Sequence, residues 1–436
     1  MISSRSTYTL LVFLSVIMIS GCKSSGNGSE PDGPSVVFVE EQDGAFQLIV
    51  NDEPFYIKGA GGRDRLDTLA AYGGNSIRTW GVDNAQSILD DAYKNGIMVT
   101  MGLWVGHERH GFDYDDDAAV QQQLESFRES VKQLKDHPAL LMWGVGNEME
   151  LSATNMKVWD AVNDIAEMIK EEDPNHPTLT VVAEINEEKI NYLKERVPAI
   201  DLLGVNSYGG LNSLPSRLEQ YGWTKPYVVT EWGINGHWEV GKTSWGAPIE
   251  PTSTRKGEIY QSRYEDVIEA QQDQCLGSYV FLWGQKQERT STWHGLFLDT
   301  GEELAGVDAM TKVWSGEWPD NRVPAITEFT AEDKLPGQNV QIQLGKVGLA
   351  KVTAIDPDGD PLTYEWVITP ESTSDAQGGD AETRPGEIEG LIIAAESDGS
   401  VSFNTPEEAG EYRLFVYIFD GNFNAATANI PFRVYE

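Results

Sequence analysis

From about residue 55 to residue 315, short and continuously apolar runs alternate with longer stretches whose apolar residues recur at helical spacing. The runs are 55–58, 75–79, 97–103, 140–145, 179–183, 202–205, 227–230 and 278–282. Between them lie amphipathic stretches such as 84–94, 118–135, 156–170 and 255–272. A strand apolar on both sides needs cover on both faces, as in a parallel sheet flanked by helices. Eight such units predict a closed (β/α)8 TIM barrel rather than an open sheet. Residues 36–50 read as a small hairpin closing the barrel bottom.

Two prolines and several polar residues at 318–324 interrupt the last helix and read as a linker. Beyond it the period becomes two, in 340–344, 351–354, 363–368, 400–403, 412–419 and 427–434. This predicts an antiparallel sandwich. The fold class is therefore α/β, a barrel over 36–318 followed by an all-β immunoglobulin-like sandwich over 324–436. The run Asp356-Pro357-Asp358-Gly359-Asp360-Pro361, followed by Leu362-Thr363-Tyr364-Glu365-Trp366, resembles Ig-like modules of the PKD and cadherin sort. Asp356, Asp358 and Asp360 either hold Ca²⁺, which prefers several oxygen ligands, or form a solvated turn. Residues 372–387 are polar and glycine-rich, and read as a mobile loop.

The first residues do not fit this scheme. Arg5 precedes an apolar run, 10–19, that is too short to cross a membrane as a mature helix. It ends in Ile19-Ser20-Gly21-Cys22, which resembles a bacterial lipobox. That resemblance implies a signal peptide over 1–21, a lipid on Cys22, a flexible tether over 22–35, and a place in the bacterial cell envelope; the alternative is an ordinary signal peptide. Membrane attachment would then be through lipid only. With Cys22 lipidated, Cys275 has no partner; it lies in a stretch read as helical and reads as a small buried residue.

The net charge of −37 argues against nucleic acid as a partner, because phosphates would be repelled. It also disfavours anionic polysaccharides unless a local basic patch exists.

In such barrels the reactive groups stand at the C-terminal ends of the strands. After the fourth run comes Trp143-Gly144-Val145-Gly146-Asn147-Glu148, and after the seventh Thr230-Glu231-Trp232-Gly233. Two carboxylates facing each other across a cleft are the minimum equipment for cleaving a glycosidic bond. These residues resemble glycoside hydrolase clan A, whose members are retaining barrels with an Asn-Glu pair after strand four and a Glu after strand seven. The resemblance implies Glu148 as acid/base and Glu231 as nucleophile. Arg78, Asn147, Tyr208 and Trp283 also stand where the clan puts substrate-binding residues. Arg78 and Tyr208 would keep Glu231 ionised, while enclosure and the nearby anion would keep Glu148 protonated.

Trp80, Trp104, Trp232, Trp238, Trp245, Trp283 and Trp293 fall at or just beyond strand ends, where indoles can stack on sugar rings. Trp104, Trp232 and His107 join the expected substrate contacts; Glu184 and Glu288 are within possible reach of sugar hydroxyls. The stretch His107-Glu108-Arg109-His110 reads as a loop without a metal, and no cofactor is expected. Asp113 to Asp117 reads as the start of a helix, where negative charge suits the dipole. Loops at 104–117, 233–252 and 284–304 would wall an extended cleft, which favours endo action.

The layout as a whole is similar to glycoside hydrolase family 158, which implies an endo-β-1,3-glucanase, a β-glucan polysaccharide or oligosaccharide as partner, and a monomer. A β-mannanase, a β-1,4-glucanase or a transglycosylase of the same clan is the alternative. A surface glycan-binding lipoprotein is the non-enzymatic one.

Overall fold

The eight apolar runs close into a ring. The protein, described here from a computed structural model over residues 33–436, forms a closed barrel of eight parallel strands followed by two antiparallel sheets. The expected signal peptide, Cys22 and most of the tether lie outside the described residues. Among those residues no helix is long and apolar enough to cross a membrane.

Three short strands come first: β1 (Val37–Gln42), β2 (Ala45–Val50) and β3 (Glu53–Phe55). The barrel strands are β4 (Ile57–Gly61), β5 (Ser76–Arg78), β6 (Met98–Leu103), β7 (Leu140–Val145), β8 (Thr178–Ala183), β9 (Leu202–Asn206), β10 (Tyr227–Trp232) and β11 (Cys275–Val280). They pair in chain order, and β11 closes between β10 and β4. β4 starts later than expected because Phe55 belongs to β3, where it pairs with Leu48 of β2. The three-stranded sheet covers the barrel bottom. Its Val37 N–H bonds Asn175 O and its Phe46 N–H bonds Asp273 O, both just ahead of barrel strands.

The outer ring comprises α1 (Leu66–Ala71), α2 (Ala85–Lys94), α3 (Asp117–Leu134), α4 (Lys157–Glu172), α5 (Glu187–Arg196), α6 (Leu214–Gln220), α7 (Ser253–Arg263) and α8 (Ala305–Ser315). α4 shows why: Val158, Ala161, Val162, Ile165, Ala166 and Ile169 recur at three- and four-residue spacing and are all buried. α3 starts where the acidic run placed it, with the Asp116 carboxylate accepting from the N–H groups of Ala118 and Ala119. The expected helix 255–272 is α-helical to Arg263 and goes on as a π turn, Tyr264–Ile268, and a 3-10 turn, Glu269–Gln271. Cys275, read as helical, instead opens β11, and burial pushes its thiol up to about 11.

The barrel interior is filled rather than hollow. The Tyr279 hydroxyl meets Ser76 Oγ at 2.9 Å and Thr100 Oγ1 at 2.6 Å. Its ring lies so close to Gly59 that a Cβ there would stand 2.4 Å from it. Only glycine fits that position.

The C-terminal sheets are β12 (Ala325–Ala331), β14 (Val347–Ile355), β17 (Ser400–Asn404) and β16 (Ile392–Ala395), facing β13 (Val340–Gln343), β19 (Ala425–Tyr435), β18 (Gly410–Phe419) and β15 (Thr363–Pro370). Trp366, Phe403, Leu414 and Phe432 fill the space between them.

A buried polar network joins sandwich to barrel. Lys256 of α7 pairs with Glu250, which also accepts from Thr290, Thr292 and Asn429. Arg413 of β18 donates to Asn429, to Glu371 and to the carbonyl of Pro248. Burial alone would raise the Glu250 carboxyl; Lys256 and the hydroxyl donors outweigh that and hold it below its ordinary value. Removing one member of a buried ion pair strands the other charge. Glu250→Ala is therefore expected to cost about 3–5 kcal/mol of unfolding free energy, read from urea denaturation midpoints.

Candidate active site

Each barrel strand delivers its last inward-facing residue to the mouth. β7 ends at Val145; Gly146 then turns in the left-handed region at φ +76°, and Asn147 and Glu148 follow. Glu148 is itself left-handed at φ +53°, a conformation a non-glycine residue holds only when its surroundings fix it. Its N–H bonds the carbonyl of Val181 on β8 at 2.9 Å. Glu231 projects from β10 into the same cleft, a space of about 720 Å³.

Glu231 collects three donors. Arg78 Nη1 lies 2.9 Å and Trp80 Nε1 2.8 Å from Oε1, and Tyr208 OH lies 3.0 Å from Oε2. Arg78 also donates from Nη2 to Asn147 Oδ1 at 2.6 Å and from Nη1 to Thr230 O at 3.1 Å. Asn206 completes the link, donating from Nδ2 to Asn147 Oδ1 at 3.2 Å and to Glu148 Oε1 at 2.8 Å. Thr230 Oγ1 donates to Asn206 Oδ1 and fixes that amide's orientation. The two carboxylates are thus joined through Arg78, Asn147 and Asn206.

The carboxylates differ in what surrounds them. Glu148 receives one neutral amide and no cation within bonding distance among the described residues. Burial, then the charge of Glu231, pushes its carboxyl up to about 8, although the Asn206 bond pulls the other way. Glu231 faces a guanidinium and two further donors, which suit an anion. One carboxyl is set to hold a proton, the other to carry charge. Asn147 Oδ1 is occupied twice, which leaves its amide nitrogen for a ligand.

Of the residues expected at the site, Glu148, Glu231, Asn147, Tyr208 and Trp104 line this cleft, and Arg78 lies directly behind it. Glu184 and Glu288 line it too. Three expected contacts do not. Trp232 follows Glu231 on a strand, so it points the opposite way, and it packs outside the barrel against Tyr260 and Tyr264. Trp283 packs between Phe297 and Trp314, beneath α8. His107 is buried, with Nε2 2.8 Å from Asn147 O and its ring 4.6 Å from that of Trp104. Burial holds its imidazole down at about 4, so it supports the Asn147 backbone as a neutral ring. Of the seven rim tryptophans, Trp80, Trp104 and Trp238 line the cleft.

Asn206 is the addition that matters most, and Trp80, expected only as a stacking indole, also donates to Glu231. Both were visible through parity: Trp80 stands two residues from Arg78, and Asn206 two from Tyr208. The segment read as a mobile loop also reaches the cleft, through Ala376 to Asp380 and Glu382. In the sandwich, Asp356 and Asp360 lie with Asp420, their oxygens within 4.8 Å of one another. Asp358 turns away instead and accepts from the Arg322 N–H.

Residues 63–283 match the glycosyl hydrolases family 2, TIM barrel domain. That match agrees with the clan A reading and does not support the finer likeness to family 158. Curated relatives include β-glucuronidases of Sus scrofa, 26% identical over 203 residues, and of Chlorocebus aethiops, 24% identical over 204. Each alignment covers 41% of this chain and 28% of the relative, so the chain spans little more than a quarter of their length. Among solved structures, a β-D-glucuronidase of Dictyoglomus thermophilum superposes with a TM-score of 0.52 at 21% identity, over 66% of this chain and 54% of that one. A calcium-binding mutant of Bacteroides uniformis β-glucuronidase 2 superposes with a TM-score of 0.51 at 14% identity, over 92% of this chain and 48% of that one. These likenesses show a shared fold. The match over residues 63–283, half of the chain, carries the assignment: this protein belongs to glycosyl hydrolase family 2 through its TIM barrel domain.

Proposed function

We propose that this chain is a retaining glycoside hydrolase acting on a neutral β-linked glycan. The observation that carries the reading is the unequal carboxyl pair, Glu231 beside a guanidinium and Glu148 enclosed without one. Glu231 attacks the anomeric carbon while Glu148 gives its proton to the departing oxygen. The products of this step are a glycosyl ester on Glu231 and a free leaving group. Esterification removes the negative charge that raised Glu148, so Glu148 can then take a proton from water as the water attacks the anomeric carbon and Glu231 departs as the carboxylate. The free amide nitrogen of Asn147 suits the sugar 2-hydroxyl, a contact that strengthens in the transition state.

The choice of a neutral sugar rests on charge. Around the reactive pair the cleft carries Glu184, paired with Arg217 at 2.6 Å, Asp380, 3.7 Å from Arg109, Glu288, and also Glu239 and Glu382, which have no cation partner among the described residues. Lys286 also lines it, but is tied to Glu288 at 2.8 Å. A uronate would meet this field at a cost. A β-glucuronide is nevertheless the second reading, because the relatives carry that name. A lipid on Cys22 would hold the cleft, as a monomer, at the cell envelope.

Three measurements test this. Product analysis on laminarin, lichenan, mannan, xylan and 4-nitrophenyl β-D-glucuronide is expected to show release from a neutral glycan with retained anomeric configuration. Cleavage of the glucuronide alone would move the assignment to the second reading. Longer products identify transglycosylation, and binding without release a glycan-binding protein. Glu231→Ala is expected to abolish turnover, with azide restoring it as the inverted glycosyl azide; Glu148→Gln should lower kcat by about 10²–10⁴-fold.

The pH dependence has a sign that can be checked. Since the charge of Glu231 raises Glu148, Glu231→Gln should lower the Glu148 pKa from about 8, while burial keeps it above the ordinary value. Asn206→Ala should raise it, because that amide stabilises the charged form. Carboxyl ¹³C chemical shifts followed against pH read both changes.

A further inference from the structure

The segment between β15 and β16 crosses the barrel mouth. It leaves the sandwich beside the rim loop after β11, where the Arg289 side chain donates to Ser374 O. It returns to the same place, where Glu382 accepts from the Arg289 N–H at 2.8 Å. In between, its tip lies against the loops after β6 and β7. Asp380 Oδ1 accepts from His110 Nε2 at 3.0 Å and lies 3.7 Å from Arg109 Nη2. Gln377 reaches Ser152 at 3.4 Å. Gly378 and Gly379 turn the tip at φ +56° and +83°, and a Cβ on Gly378 would stand 3.1 Å from Leu151. β7 and β11 are four places apart in the eight-stranded ring, and so face each other. The tip lines the same cleft as Glu148 and Glu231.

This arm divides the mouth. Trp80 and Trp104, after β5 and β6, lie on one side of it; Tyr208 and Trp238, after β9 and β10, lie on the other. Trp104 is 40% and Trp238 54% exposed, so each offers an indole face. A glycan resting on both platforms must pass beneath the arm to reach the carboxylates.

We infer that the arm 374–382 roofs the cleft, so that a glycan enters lengthwise from a free chain end and a side-branched segment is refused. The inference rests on the glycan-hydrolase reading and makes the C-terminal sandwich a specificity element of that site. It also replaces the open, endo-acting groove expected from the loop lengths with a covered one.

The test compares linear β-1,3-glucan oligosaccharides with laminarin, whose main chain bears β-1,6 branches. The full-length chain is set against a variant lacking residues 377–380, with melting temperatures measured for both. The unaltered chain should favour the linear substrate in kcat/KM, and removing the arm should cut that preference by about tenfold. Asp380→Ala combined with Glu382→Ala unpins the arm without shortening it; it serves where the deletion does not fold, and should shift the preference the same way. An unchanged preference in every folded variant overturns the roof, as does an equal loss on both substrates at unchanged melting temperature. If the unaltered chain cleaves neither, β-1,3-glucan is not its substrate, and the hydrolase reading is decided by the wider glycan panel. The arm is then judged on the Kd values of the same two ligands by calorimetry, where an unchanged ratio overturns it.

Discussion

Everything at the mouth of this barrel depends on one buried guanidinium. Arg78 is almost wholly removed from water, so its charge needs a counterion close by, and Glu231 supplies it at 2.9 Å. The planar fork has a second arm, which holds Asn147 and, through it, the turn that carries Glu148. A lysine could neutralise Glu231 but could not grip two fixed acceptors in one plane. Once Arg78 and Glu231 are paired, the charges balance. Ionising Glu148 would then leave an uncompensated negative charge in a buried site, and this is the physical reason its proton is retained to about pH 8.

The scaffold makes this economical in sequence. Strand parity sends alternate residues inward, so Arg78 with Trp80 and Asn206 with Tyr208 arrive as pairs from β5 and β9 and their ends. The residues that interlock come from positions as far apart as 78 and 231, and only the Gly146–Glu148 turn leaves ordinary backbone geometry to bring them together. The sandwich enters the same economy. Its seat on the barrel is polar and satisfied, through Glu250, Lys256 and Arg413, and Arg289, from the same rim loop as Thr290, anchors the arm. The sandwich is therefore bonded to the barrel where it places side chains over the cleft.

What the chain's pattern made legible is what periodicity encodes. The eight barrel strands, the two reactive carboxylates and Arg78 follow from apolar runs and from what stands after them. β12 escaped because a bulge between Ile326 and Glu328 breaks its alternation. β16 escaped because it is a short, largely exposed edge strand, also bulged. Trp232 and Trp283 were misplaced for one reason: proximity to a strand end says nothing of which way a side chain faces, and a large indole finds apolar cover behind the barrel as readily as sugar in front. The arm was the least legible part, because a polar, glycine-rich segment looks alike in solvent and against a rim that meets it with Arg109, His110 and Arg289.

The strong acidity of the chain gains a local meaning at this site. Glu150, close behind Glu148, adds to the upward push that burial and the charge of Glu231 give its carboxyl. Burial holds that proton first, and the charge of Glu231 that adds to it also faces an incoming anionic sugar. Acid strength and substrate charge are therefore not independent choices here. A cleft that gained enough cations to welcome a uronate would also draw the proton off Glu148, unless those cations stood far enough away to act on the substrate alone. Lys286 does neither: it stands at the cleft, but Glu288 on its own rim loop pairs with it at 2.8 Å and offsets its charge.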